Sequence, residues 1–545
     1  MASEYENGAF LPHSVRRSVE GCLEELENLR FVERIWRQDE TLWASNQAET
    51  RQRLGWLDAP KTMLASEDSW KSFQSELLSA GFRHAVLLGM GGSSLGAEVL
   101  NQVLAAGTEQ TRLHVLDSTL PESVRAVESS VDIRRTLFIV SSKSGSTVEP
   151  NLLYDYFRGV VEEESGAAQA GGHFVAITDP GTSLERMAVT HGFRRIFTNP
   201  SNIGGRYSVL SLFGLVPGAV LGIDNRLLLE RAMQMSEGCG PGQSGVKNPG
   251  VELAAYMVGC QRVGRDKLTL VASPRVASFG LWAEQLIAES TGKEGTGIIP
   301  VVAEPFLSPE SYATDRAFVY LRLDGDANEG SDSHISAIED EGLPCMTIHL
   351  SDAYEIGSEF FKWQFATGAA GCLLGINPFD QPDVQSAKDA TNRVLRHHEE
   401  HGTLPDPPET QSVHAIMESF SAGTYLAIMA YVRETDASNA AFAEFRRRIG
   451  DRHCICTTLG YGPRFLHSTG QLHKGGPDTG SFLQLVSVHD DDVQIPGHPY
   501  TFGTVADAQA LGDLEALKTL GRNVARVTLP DDSEQSLAEA LGALA

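Results

Sequence analysis

The chain has 545 residues, of which 41% are hydrophobic and 21% charged, and its formal net charge is -27. That length allows two to four domains with large cores. The acidic balance argues against a broad nucleic-acid or anionic-membrane surface, but not against a small anion held by a few basic groups and oriented amides. Seven cysteines are too few for a disulfide framework, and Cys454 and Cys456 have neither redox nor zinc spacing. The sequence opens without a basic or apolar leader and has no apolar run of about 18 residues, so a cytoplasmic protein with no membrane span is expected.

Residues 15–80 read as amphipathic helix, with Leu23, Leu26, Leu29, Val32 and Ile35 recurring at three-residue spacing on a charged background. From residue 81 the pattern changes to short apolar runs alternating with helical stretches. Strands are predicted near 84–89, 112–118, 136–141, 173–180 and 194–199, with helices following the first, third and fourth. Such alternation implies a mostly parallel sheet covered on both faces, with function at the carboxyl ends of its strands. A largely helical stretch covers 207–264. The alternation then restarts, with strands at 267–273, 297–304, 316–324 and 345–351, a helix at 278–291, and helices at 358–375 and 384–399. The polar, proline-rich segment 401–412 reads as a linker or excursion. Beyond it, helices are predicted at 413–431 and 438–449, followed by a smaller block of mixed strand and helix. The expected organisation is an N-terminal helical segment 1–74, two α/β domains at 75–215 and 216–400, and a C-terminal helical and α/β region at 401–545.

Six segments could carry chemistry. Gly89 to Gly96 links a predicted strand to a helix, and its glycines let backbone amides converge on an anion. It lacks the third glycine of a dinucleotide fingerprint, although Asp117 could stand for that motif's acidic residue. Ser141 to Thr147 lies in the same position after another strand. Its hydroxyls, Lys143 and Gly145 make a phosphate cradle, the plainer reading being a serine-rich helix cap. Gly204, Gly205 and Arg206 could bring backbone and guanidinium to a developing oxyanion, or Arg206 could form a structural ion pair. Glu289 ends an apolar helix, where burial could tune it as a proton-abstracting base. Glu284, five residues earlier, faces differently and is expected to serve packing or a salt link. Asn377 to Asp383, followed by Lys388, gathers amide, carboxylate and ammonium groups. His467 and His473 lie in a polar, glycine-rich stretch without the third ligand that a zinc site needs.

These strings, GMGGSSLG, SSKSGSTVEP, GGRYS, AESTGK and NPFDQPDVQSAK, occur in an order that resembles the phosphoglucose isomerase family. The resemblance covers residues 15–540 and is nearest to the isomerase portion of bacterial proteins that fuse it behind transaldolase, although no transaldolase portion is expected here. It implies an α/β fold of two sugar-isomerase parallel-sheet domains plus a smaller C-terminal α/β block. It also implies reversible isomerisation of glucose 6-phosphate and fructose 6-phosphate through a cis-enediolate, with no cofactor and no metal. A homodimer with shared active sites is implied as well. Residue by residue, Gly92 and Ser93 match sugar-phosphate contacts, and Ser142, Lys143, Ser144 and Thr147 match the phosphate loop. Gly205 and Arg206 match the enediolate-stabilising pair, Glu289 the base, Gln381 the family's glutamine and Lys388 its ring-opening lysine. The family's ring-opening histidine falls between the base and that glutamine. Here only His334 and His349 lie there, and neither has its context. His473 is therefore assigned the role, with His467 or Lys388 alone as alternatives. A non-catalytic sugar-phosphate-binding regulator and a nucleotide-dependent oxidoreductase stand as readings from other classes.

Overall fold

The computed structural model describes residues 5–6, 8–44, 50–105, 111–243 and 245–544. It starts with an antiparallel hairpin, β1 (Tyr5–Glu6) and β2 (Ala9–Phe10), followed by α1 (His13–Asn28). The apolar stripe of this region is real but not one helix. Arg30 adopts φ 52° and breaks it, so Val15, Val19, Cys22 and Leu26 are buried from α1 while Phe31, Val32 and Ile35 are buried from a separate short helix.

Among the described residues the strands form three sheets. The first is parallel throughout and contains β3 (His84–Gly89), β4 (Arg112–Leu116), β5 (Thr136–Ser141), β6 (Phe174–Thr178) and β7 (Arg195–Thr198), in the order β4-β3-β5-β6-β7. Helix α2 (Leu95–Leu104) follows β3, and α3 (Val148–Ser165) follows β5. The second sheet contains β8 (Lys267–Ala272), which leads into α4 (Phe279–Thr291), then β9 (Ile299–Val301), β10 (Arg316–Leu323) and β11 (Cys345–Leu350). These four are parallel, and the N-terminal hairpin adds to β11 antiparallel, a role that the sequence does not announce. Helix α5 (Ile356–Leu374), buried along almost its whole length, and α6 (Val384–His401) complete this part.

The third sheet is parallel too, in the order β13-β12-β14-β15. It is built from β12 (Tyr425–Tyr431), α7 (Asp436–His453), β13 (Cys456–Tyr461), the short α8 (Gly470–Gly475), β14 (Gly480–Ser487), α9 (Phe502–Thr519) and β15 (Asn523–Leu529). Here the expected helix over 413–431 is corrected. Only Val413–Glu418 is helical, a turn with Gly423 at φ 86° ends the segment, and 425–431 is one of the two inner strands. Leu, Ala and Met favour helices, but every residue of β12 is buried, as a strand between two neighbours and two covered faces requires.

Alternation along β3 sorts its side chains onto two cores. Ala85 and Leu87 join a core shared with the second sheet, while Val86 and Leu88 face the other way. That second face is closed by Phe157 of α3, by Val394 and Leu395 of α6, and by Val505, Ala508 and Leu511 of α9. The third sheet, through Tyr425, Met429 and Phe482, packs with Ala288 of α4, with β9 and with the opposite side of α9. Helix α9 is thus a wall common to the first and third sheets.

Candidate active site

The glycine-rich and serine-rich loops both lie at the carboxyl edge of the first sheet. Gly89 and Ser141 are register partners, and Ser141 Oγ donates to the Ser93 carbonyl at 2.8 Å, so the loops hold each other. Gly92 packs directly on the third motif: a Cβ there would meet the Gly205 carbonyl oxygen at 2.2 Å and the Arg206 nitrogen at 2.7 Å. Gly91, at φ +52°, abuts the His467 carbonyl oxygen and Gln285 Nε2, where a Cβ would come within 2.7 and 2.8 Å. Glycine is required at both positions for close backbone approach.

Arg206 is almost fully buried and sits at the centre of this edge. Its Nε donates to Ser290 Oγ at 2.7 Å and its Nη1 to Gln381 Oε1 at 3.0 Å. Its Nη2 donates to the carbonyls of Pro378 and Asp380 at 2.8 and 2.9 Å. Nη1 also lies 3.3 Å from Glu289 Oε1, and the Glu289 side chain remains 13% exposed. Gln285, one turn before Glu289 on α4, donates from Nε2 to Glu289 Oε2 at 3.1 Å and to the His467 carbonyl at 2.7 Å. Lys293 fixes the loop carrying Gln381, donating to the Asn377 carbonyl at 2.7 Å and to Asp380. Burial, with Arg206 nearby, pulls the Lys293 ammonium down to about 8.

Beside this cluster lies a cavity of about 280 Å³. Ser146 and Thr147 line one part of it, and Lys388, exposed at the start of α6, another. Its deeper lining includes Glu149, His467 and Gln509. Ser142 Oγ donates to Thr147 Oγ1 at 3.1 Å, and Ser144 Oγ accepts from the Ser146 backbone amide at 3.2 Å, a turn that shapes the start of α3. Thr147 is the N-cap of α3, and its hydroxyl makes no cap bond to the first-turn amides. Lys143 is held elsewhere: its ammonium pairs with Asp179 and reaches the Ser201 carbonyl at 3.4 Å.

Glu149, in the first turn of α3, is buried and accepts from His467 Nε2 at 2.9 Å and from Gln509 Nε2 at 2.7 Å. Thr119 Oγ1 in turn donates to Gln509 Oε1 at 2.7 Å. Burial alone would raise the Glu149 carboxyl. The adjoining His467, its own backbone amide and Lys388 outweigh burial and hold it below its ordinary value. His467 Nδ1 has no partner among the described residues and is the nitrogen left for the cavity.

The structure does not bring His473 here. Its ring lies in the third-sheet core, with centroids 5.9 Å from Phe465 and 5.1 Å from Phe482, and burial drives its pKa far down. Its Nδ1 is buried and unpartnered, and His467, six residues earlier, occupies the cavity instead. Asp117, the residue considered for a nucleotide ribose, is ion-paired to Arg464 at 2.8 Å and receives Ser94 Oγ at 3.4 Å. Glu284 forms no salt link among the described residues, and of the two expected roles its burial leaves packing. The sequence reading does not mark Glu149, Gln285 or Gln509, while Lys293 belongs to the string around Glu289. Glu149 lies inside the serine-rich string, whereas nothing local marks Gln509.

Two coupled parallel sheets with loops converging at a carboxyl edge define the sugar-isomerase class of fold. Two solved structures share it at a TM-score of 0.59. One is a glucose-6-phosphate isomerase from Chlamydia trachomatis, 18% identical, covering 73% of this chain and 90% of its own. The other is a hypothetical protein from Thermus thermophilus, 22% identical, covering 70% of this chain and 98% of its own. At the sequence level, the family profile described as phosphoglucose isomerase matches residues 65–293. A glucose-6-phosphate isomerase of Limosilactobacillus reuteri is 30% identical over 353 residues, 56% of this chain and 77% of that protein. A probable glucose-6-phosphate isomerase of Methanococcus maripaludis is 29% identical over 363 residues, 60% of this chain and 81% of that protein. The chain belongs to the phosphoglucose isomerase family.

Proposed function

We propose that the chain interconverts glucose 6-phosphate and fructose 6-phosphate, with Glu289 as the base, Arg206 as the charge-stabilising cation and a His467–Glu149 pair for ring opening. The observation that carries the reading is the 3.3 Å approach of Arg206 Nη1 to Glu289 Oε1 beside a hydroxyl-rich helix start. Sugar-phosphate binding is consistent with the family.

The phosphate sits on the loop Ser142 to Thr147, with Lys388 across the cavity. It lies away from the reacting carbons, so its binding energy serves orientation. The cyclic sugar opens when a proton leaves O1 and one reaches the ring oxygen. His467 exchanges these protons at Nδ1 while Glu149 holds Nε2 and compensates the imidazolium form. Glu289 then takes the proton from C2 and returns it to C1. During that transfer negative charge builds on the oxygens of the cis-enediolate. Arg206 faces it with a guanidinium whose other N–H groups are already committed to fixed acceptors, so no reorganisation is needed as the charge develops.

His467 belongs to the same chain, so this reading calls on no second subunit for that group, and association into a homodimer is compatible with it but not required by it. The test is a coupled assay in which fructose 6-phosphate is supplied and glucose 6-phosphate is trapped by oxidation. No turnover by folded protein that still binds the sugar phosphate would replace the reading by a non-catalytic binding protein.

A further inference from the structure

A second cleft, of about 340 Å³, opens between α4 and the third sheet. Its walls are largely apolar, supplied by Leu281, Val302, Ala443, Leu459 and Phe465. At its floor is Glu284, only 7% exposed and with no hydrogen bond or ion pair to any described residue. An unpartnered carboxyl costs too much to bury without purpose unless it stays neutral or gains a partner.

The groups facing Glu284 identify the partner. Arg446 of α7 donates to the carbonyls of Val302, Ala303 and Thr457 and to Thr457 Oγ1, all neutral acceptors, so its charge is not cancelled by direct contact. Arg464, on the turn before α8, is paired with Asp117 at 2.8 Å and with Glu434 at the cleft wall at 2.9 Å. Burial raises the Glu284 carboxyl to about 8, even though both arginines act in the opposite direction. Near neutral pH the floor is therefore a protonated carboxyl lacking an acceptor, beside Arg446, whose direct partners are all neutral; Arg464 is offset by Asp117 and Glu434, and Glu304, the carboxylate nearest Arg446 in effect, is itself paired with Arg316. A cation would meet Arg446 unfavourably, and a strongly hydrated dianion would meet apolar walls.

The cleft lies back to back with the catalytic cavity. Glu284 precedes Gln285, the residue that holds both Glu289 and the His467 carbonyl. Phe465 and Ser468, which line the cleft, belong to the same turn as His467.

We propose that this cleft is a second ligand site, that it takes a small monocarboxylate with an apolar body, and that its occupancy acts on the catalytic cavity through the turn bearing His467. The carboxylate accepts the proton of Glu284 in a hydrogen bond, and its body covers Phe465 and Leu459.

Benzoate serves as the probe and benzylamine as the cationic control, by calorimetry at pH 8 in two buffers of different ionisation enthalpy, with saturating fructose 6-phosphate blocking the main cavity. Benzoate should bind with proton uptake. Glu284→Gln should bind it without proton uptake. Glu284→Leu should weaken it by roughly tenfold or more, the worth of a hydrogen bond to a charged group. Ala443→Phe, which fills the cleft from its α7 wall and leaves Glu284 itself unchanged, should abolish binding. Undiminished binding by Ala443→Phe, or no binding by the wild type, overturns the site. Tighter binding of benzylamine with proton release overturns the ligand class. The coupling rests on the isomerase reading: saturating benzoate should change kcat of the wild type and not of Ala443→Phe. An unchanged wild-type kcat overturns the coupling alone, and absence of any isomerase activity overturns the proposed function while the binding result stands.

Discussion

The contact between Gly92 and the Gly205–Arg206 backbone gives a sharp test of how the cluster is held. In Gly92→Ala the new methyl would lie 2.2 Å from the Gly205 carbonyl oxygen, whereas ordinary contact begins at 3.4 Å, so the two loops must part by about 1.2 Å. The obstructing atoms are backbone, so no side-chain rotation relieves the clash. Overpacking of this kind costs about 1–3 kcal/mol. It also moves the segment carrying Arg206, and a misplacement near 1 Å can cost on the order of a hundredfold in rate. Gly205→Ala is the control, because a Cβ at Gly205 meets nothing within 4 Å. Thermal melting and the coupled isomerase assay should therefore separate the pair. Gly92→Ala should lower both Tm and kcat/KM, while Gly205→Ala should keep the wild-type Tm and lose activity only if the space beside it belongs to substrate. A Gly92→Ala protein with wild-type Tm and kcat/KM would refute the reasoning.

Four further outcomes follow from the same geometry. Glu289→Gln should keep the fold and lower kcat by roughly a hundredfold or more, with solvent-tritium exchange into C1 or C2 lost in step, while Glu284→Gln costs far less. His467→Ala should impair cyclic substrate more than open-chain substrate and His473→Leu should impair neither; mixing His467→Ala with Glu289→Gln protein should restore nothing, whereas recovery would mean a site shared between subunits. Ser144→Ala and Thr147→Ala should mainly raise KM, and unchanged kinetics in both would remove that loop from the site. Glu284 should make stability pH-dependent: its folded pKa, raised to about 8, exceeds the unfolded value of 4.5, so its stabilising contribution is full below 4.5 and is lost as pH rises through about 8. Denaturant titrations should show Glu284→Gln flatter over that window, and identical profiles would mean that the carboxyl is not desolvated.

Buried parallel strands announce themselves as continuous apolar runs ending in glycine or serine, which is why the first two sheets and the loops at their edges can be read from the sequence. Strand β12 escapes that reading because Leu, Ala and Met carry a helical bias and only the neighbouring strands on both sides override it. The two histidines were equally polar in context. What separates them is a short helix that turns His473 into an aromatic core while His467 ends the preceding turn beside Glu149. Glu149 reads locally as an acidic residue favoured by a helix start. Its service to His467 depends on a chain crossing of more than three hundred residues, as does that of Gln509. Pairings between distant segments leave no periodicity for sequence inspection to find.

The wall formed by α9 also bears on how the chain is made. The first sheet has all its strands once Thr198 has been synthesised, yet Val505, Ala508 and Leu511, which close one of its faces, come roughly three hundred residues later. At about 5–20 residues per second, that face waits on the order of 15–60 s on the ribosome for its cover. During that interval Val86, Leu88, Phe138 and Val140 have only the nearer helices to shield them, so the nascent chain carries an adhesive surface while roughly the next three hundred residues are made. Slowing translation after residue 198 should therefore lengthen the chain's stay on chaperones, whereas the same pause after residue 519 should not.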